Sequence, residues 1–179
     1  CQTMLDGDAK IRKLFKSKED VKFAQSAMKT SGPIGSNKQV AILFADIENF
    51  TPLSERLASF DVMYLLNKYF DFADNIVMRN GGEINNYIGD AFLAIFGHDG
   101  EGDETFRATK AGLELQAELK DFANTVEENF DQEFKVRIGI HYGEVIMGML
   151  GCRGTERLSV IGDTVNMASR AEAANKDAD

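Results

Sequence analysis

The apolar positions of this chain fall into strand-like runs and helix-like spacings that alternate along its length. Val40-Ala41-Ile42-Leu43-Phe44-Ala45 is short, continuous and aliphatic, which predicts a buried strand over 40–47. Thr51-Pro52 follows, and a Thr cap with Pro in the first turn predicts a helix start at Thr51. Val62, Leu65, Leu66, Tyr69, Phe70, Ala73, Ile76 and Val77 keep helical spacing and predict a second helix over 60–79, stopped by Gly81-Gly82. Glu83 to Phe96 reads as two strands around a Gly89-Asp90 turn, which puts Asp90 at a hairpin tip. Ala111, Leu115, Leu119, Phe122 and Val126 mark a long helix over 105–129. Residues 134–150 form one long strand or two broken ones, interrupted by Gly139, Gly143 and Gly148. Leu158–Ile161 is a further strand, and Thr164–Lys176 a last helix.

The order β-α-α-β-β-α-β-β-α predicts a mixed α/β chain of the α+β kind. It has the logic of a ferredoxin-like split βαβ sheet with helices packed on one face. Ser31-Gly32-Pro33-Ile34-Gly35-Ser36 is a breaker signal. It divides a tail or linker from an upstream domain (1–37) from the domain proper (38–179), and residues 14–30 of the tail read as a short connecting helix.

Composition narrows the classes. The 179 residues carry a net charge of −9, which argues against a nucleic-acid partner, since that requires a basic face. No apolar run approaches the roughly 18 residues of a membrane helix, so no membrane segment is expected in this chain. Two cysteines, Cys1 and Cys152, give no disulfide framework, and with only His98 and His141 beside them they build no zinc site. A reducing, cytoplasmic setting follows. The chain has no start methionine and reads as a piece of something longer.

The candidate chemistry lies at strand ends. Asp46 closes the first apolar strand and Asp90 sits at the hairpin tip. In a ferredoxin-like sheet these elements are neighbours, so both carboxylates can face one ion site. A hard cation such as Mg²⁺ takes one or two carboxylates plus substrate phosphates, and a pair of such ions can activate an attacking oxygen and hold a leaving phosphate. The helix beginning near Thr51 offers free N–H groups suited to phosphate. Asn166 and Arg170, four apart, share a helix face, where an amide and a guanidinium can position a ribose and neutralise a phosphate.

Four segments in order carry a resemblance. Phe44-Ala45-Asp46-Ile47-Glu48-Asn49-Phe50-Thr51, Ile88-Gly89-Asp90-Ala91, Arg137-Ile138-Gly139-Ile140-His141-Tyr142-Gly143 and Gly162-Asp163-Thr164-Val165-Asn166-Met167-Ala168-Ser169-Arg170 resemble the class III nucleotide cyclase catalytic domain. The match covers about residues 38–177. The resemblance implies conversion of a nucleoside triphosphate to a 3′,5′-cyclic monophosphate and pyrophosphate with two Mg²⁺ or Mn²⁺ ions per site. It implies that Asp46, Asp90 and the Ile47 carbonyl hold metal, and that Phe50 and Thr51 lie at the triphosphate. It gives Asn166 the ribose and Arg170 the transition-state charge. It also implies a head-to-tail homodimer, in which one subunit supplies the metals and the other the Asn/Arg pair.

Two positions depart from the family pattern. The base-reading residues would be Asn86, where adenylyl enzymes commonly have Lys and guanylyl ones Glu, and Ser159, where Asp or Thr, or Cys, is common. Asn and Ser each donate and accept. The missing glutamate argues against the guanylyl pattern, so ATP is the expected substrate. A guanylate or mixed-specificity cyclase and a nucleotide-binding regulatory pseudo-cyclase are the alternatives. The family domain continues with further strands and a phosphate-contacting lysine beyond Asp179, so this fragment is expected to lack its C-terminal strands. Cys1-Gln2-Thr3-Met4-Leu5-Asp6-Gly7-Asp8 resembles the end of a plant-type [2Fe–2S] ferredoxin domain, which implies an upstream regulatory domain.

Overall fold

A computed structural model describes residues 35–100, 102–151 and 157–175. The connecting helix expected over 14–30 and the ferredoxin-like tail lie outside the described residues. The elements run in the order β1 (Ser36–Ile47), α1 (Phe50–Arg56), α2 (Ser59–Arg79), β2 (Gly82–Ile88), β3 (Ala91–Phe96), α3 (Glu104–Phe130), β4 (Val136–Leu150), β5 (Arg157–Ile161) and α4 (Asp163–Ala174). The strands form one sheet in the order β2-β3-β1-β4-β5, with antiparallel neighbours throughout. The α+β, ferredoxin-like class read from the sequence is the class observed.

The central position of β1 explains its composition. Residues Val40 to Leu43 are all fully buried because both faces of the strand are covered. Ala41, Leu43, Ala45 and Ile47 point into the larger core with Leu65, Tyr69, Ala73 and Ile76 of α2 and Ala111, Leu115 and Leu119 of α3. The alternate residues Val40 and Ile42 point the other way, against Leu93, Ile95, Val145, Met147 and Ala168 of α4. The helices therefore do not all lie on one face. α1, α2 and α3 cover one side and α4 the other. The two-period of β1 decides this, since its apolar residues occupy both parities and each set needs a cover.

Three local details bear on the expectations. The first helix begins at Phe50, not Thr51, with Asn49 preceding it in the left-handed region at φ 52°. Asn tolerates that conformation better than most residues. Pro52 then falls within the first turn, where its missing N–H costs no helical bond. β4 is one continuous strand, because β1 pairs with it over twelve residues, from Ser36↔Met147 to Ile47↔Val136. The hairpin turn forms where expected, with Gly89 at φ 66°, a conformation glycine adopts without a Cβ clash.

Candidate active site

Sheet parity brings the charged residues together. Asp46 lies two residues beyond Phe44 on the α4 side of β1, and the β1–β4 register places Arg137 directly opposite it. Arg137 Nη2 donates to Asp46 Oδ2 at 3.1 Å, and Arg137 Nε donates to Glu172 Oε1 of α4 at 2.7 Å. The Arg137 side chain is 10% exposed and that of Glu172 6%. Burial works against the Arg137 charge. The hydrogen bond and charge of Glu172, with Asp46 and Glu48 beyond it, outweigh that and hold the guanidinium above its ordinary value.

β3 pairs with β1 on the other side, Ala45↔Phe92, so the hairpin tip falls beside the end of β1. The Asp90 carboxyl lies within hydrogen-bonding reach of Asp46. Burial, then the Asp46 carboxylate, push it up to about 6, against the pull of its own backbone N–H and of Arg137. Two carboxylates that share a site raise one another in this way. Among the described residues no third His, Cys, Asp or Glu joins them to complete a metal cage. The donor set is thus two hard oxygens at strand ends, with the Ile47 backbone adjacent. It fits a cation that takes its other ligands from water or substrate phosphate, as Mg²⁺ does. Near the pair, Tyr69 is buried with no hydrogen-bond partner for its hydroxyl among the described residues, and burial, Asp46 and Asp90 all raise its pKa.

Besides apolar packing, four contacts hold α4 and its C-terminal cap on β4. Thr164 Oγ1 donates to the Glu144 carbonyl at 2.8 Å, and Asn175 Nδ2 donates to the Ile138 carbonyl at 2.9 Å. The Arg137–Glu172 pair is the third. The fourth is backbone proximity at Gly139, where a Cβ would lie 2.2 Å from both the Ala168 oxygen and the Glu172 nitrogen. Thr164, Ala168 and Glu172 form the buried stripe of the helix at four-residue spacing. Asn166 and Arg170, also four apart, are exposed on its other side. The polar pair expected on one helix face is there, and it points away from the sheet.

The remaining candidates are spread around this centre. Phe50 is half-buried and Thr51 exposed at the start of α1. Asn86 is exposed on β2 and Ser159 half-buried on β5. Asn85 Nδ2 donates to the Leu158 carbonyl at 2.8 Å, so the neighbours of these two residues touch within one chain. The residues that sequence reasoning missed are Arg137 and Glu172. The available signal for the first was one charged side chain in the apolar run Val136–Ile140.

The profile of the adenylate and guanylate cyclase catalytic domain matches residues 33–178. Adenylate cyclase 1 of Rhizobium meliloti (strain 1021) is 30% identical over 165 residues, 92% of this chain and 25% of that protein. The chain thus spans about a quarter of the length of this curated relative. Among solved structures, the guanylyl cyclase Cya2 superposes with a TM-score of 0.75 at 32% identity, covering 78% of this chain and 72% of that one. The adenylyl cyclase CyaB from P. aeruginosa does so with a TM-score of 0.75 at 28% identity, covering 78% and 74%. The sheet and its helices thus superpose on nucleotide cyclase domains. The chain belongs to the adenylate and guanylate cyclase catalytic domain family.

Proposed function

We propose that the domain converts ATP to 3′,5′-cyclic AMP and pyrophosphate in a signalling protein. The observation that carries this reading is the Asp46–Asp90 carboxyl pair, brought together at adjacent strand ends. Asp46, Asp90 and the Ile47 carbonyl would hold two Mg²⁺ or Mn²⁺ ions. Bound there, such ions acidify the 3′-hydroxyl and offset charge on the triphosphate. Phe50 and Thr51, at the start of α1, would contact the triphosphate. Attack of the 3′-oxygen on the α-phosphate builds negative charge on the phosphate oxygens and the leaving pyrophosphate, and a fixed guanidinium stabilises it. Arg170 takes that role and Asn166 orients the ribose.

The site is completed by a second copy of the chain. Glu172 lies on the sheet side of α4, next to the Arg137–Asp46 pair, while Asn166 and Arg170 project from the opposite, exposed side. This geometry supports a head-to-tail homodimer with two equivalent sites, each taking carboxylates from one subunit and the Asn/Arg pair from the other. An upstream domain would supply regulation. Among the described residues no helix is long and apolar enough to cross a membrane; a cytoplasmic setting is part of the proposal.

Purified protein supplied with Mn²⁺ and ATP should yield cyclic AMP, and Asp46→Ala or Asp90→Ala should abolish it. Arg170→Ala should cost roughly 10²–10³ in turnover. Absence of cyclic product from both ATP and GTP would leave a nucleotide-binding regulatory domain instead. A guanylate or mixed-specificity cyclase is the second reading. Asn86 and Ser159 leave it open, since both can donate and accept and neither excludes guanine. Parallel assays with GTP decide between the two.

A further inference from the structure

We propose that Asn85 is a positioning residue for base selection, acting through a clamp between the two outer strands of the sheet. The proposal rests on the reading of Asn86 and Ser159 as the base-contacting pair. β2 and β5 are the edges of the order β2-β3-β1-β4-β5. Four strand spacings would hold the edges of a flat sheet roughly 19 Å apart. Asn85 Nδ2 nevertheless donates to the Leu158 carbonyl at 2.8 Å. One amide side chain therefore spans what is left between the edges. A carbonyl only accepts, so the amide must present its nitrogen there.

A break in the β2–β3 ladder frees this side chain. Pairing runs Ile84↔Ala94 and then Asn86↔Leu93, which leaves Asn85 as the extra residue of a bulge. A bulged residue is released from strict alternation, and its side chain is re-aimed. Here it reaches β5 and is half-buried. Each bonded residue stands beside a base-contacting one: Asn85 precedes Asn86, and Leu158 precedes Ser159. Ser159 is held on its other side by β4, through Gly148↔Ser159. The Asn85–Leu158 bond thus sets the gap between Asn86 and Ser159.

That gap carries the selectivity. Asn and Ser each donate and accept, so neither rejects adenine or guanine by identity. Adenine presents an N6 donor where guanine presents an O6 acceptor. Which edge atoms two adaptable groups reach together depends on their separation. A fixed gap fits one base in good geometry, and a loose gap admits both. Asn85 acts on this gap without touching the nucleotide.

The test is calorimetry on the full chain with Mn²⁺ and the 3′-deoxy forms of ATP and GTP, which have no attacking hydroxyl. Asn85→Leu removes the donor at similar volume and adds no charge. Asn85→Asp keeps the shape and sets an acceptor against the Leu158 carbonyl. Both should melt like wild type and keep Mn²⁺ binding, followed by electron paramagnetic resonance, within about twofold. Both should bring the ratio of the two nucleotide affinities closer to one by roughly fivefold or more, the scale of one net hydrogen bond. A smaller movement in Asn85→Leu overturns the clamp, as does wild-type protein whose two affinities differ by less than that. A change in Asn85→Asp alone also overturns it, since charge would then be the cause. A variant that melts far below wild type makes the bond a folding element and overturns its role in selection. The base reading beneath it fails separately, if Asn86→Ala and Ser159→Ala both keep the wild-type ratio.

Discussion

Adding one methyl group at Gly139 tests the link between packing and catalysis. A Cβ there would lie 2.2 Å from the Ala168 oxygen and from the Glu172 nitrogen, and 2.8 Å from the Glu172 Cα. All three are backbone atoms, so no side-chain rotation relieves the clash. Ordinary contact begins near 3.4 Å, so Gly139→Ala must push α4 off β4 by about 1 Å. Overpacking of this kind costs about 1–3 kcal/mol, or a fall in melting temperature of roughly 3–10 °C for a chain of this size. The displaced helix carries Asn166 and Arg170 with it. A misplacement of about 1 Å can cost 10²-fold in rate, so kcat should fall about that far. Direct Mn²⁺ binding should fall less, since Asp46 and Asp90 are on other elements. The assays are thermal melting and cyclic-nucleotide production at saturating Mn²⁺ and substrate. A Gly139→Ala protein with wild-type melting and turnover within twofold would refute the close approach and the placement of α4 as a determinant of rate.

Four other predictions concern the site. In the metal-free protein, Asp90 titrates at about 6 against an ordinary 3.8. The unfolded chain releases this proton first as pH rises. Asp90 therefore favours the folded state most below about pH 4, and that contribution is lost between about 4 and 6. Carboxyl ¹³C NMR should find the raised value, and Asp46→Asn should lower it. Metal must compete with the same proton, so Mn²⁺ affinity should fall about tenfold per pH unit below about 6; flat affinity from pH 5 to 7 would contradict this. Tyr69→Phe removes a buried hydroxyl with no partner among the described residues. It should leave the metal-free protein as stable or more so, by up to about 1–3 kcal/mol in chemical denaturation, and a clear loss would reveal a bond to that hydroxyl. Asn86→Lys should raise the ratio of ATP to GTP turnover, and an unchanged ratio would remove Asn86 from base reading.

Much of this architecture was legible in the residues, for identifiable reasons. The β1 run is continuous because both faces of the strand are buried, and the α2 and α3 periodicities are long and clean. Asp46 and Asp90 stood out as carboxylates ending apolar segments, and the hairpin order predicted their proximity. What pattern alone could not give was the side of the sheet taken by α4. That depends on Val40 and Ile42 needing a cover as much as Ala41 and Leu43 do. Arg137 was equally hidden. Its place opposite Asp46 follows from strand register, and register is a tertiary fact. Glu172 looked like any charged residue near a helix end until Gly139 brought its backbone against the strand. The start of α1 was misplaced by one residue because Asn49 takes the left-handed turn before it.

The central claim is that carboxylates of one subunit and the Asn/Arg pair of another make one catalytic site. It is tested most directly by mixing two inactive proteins, Asp46→Ala and Arg170→Ala. Each heterodimer would contain one site with both lesions and one with neither, so the account predicts partial recovery of cyclic AMP production on mixing. Heterodimers demonstrated by co-purification that stay as inactive as either parent would contradict it.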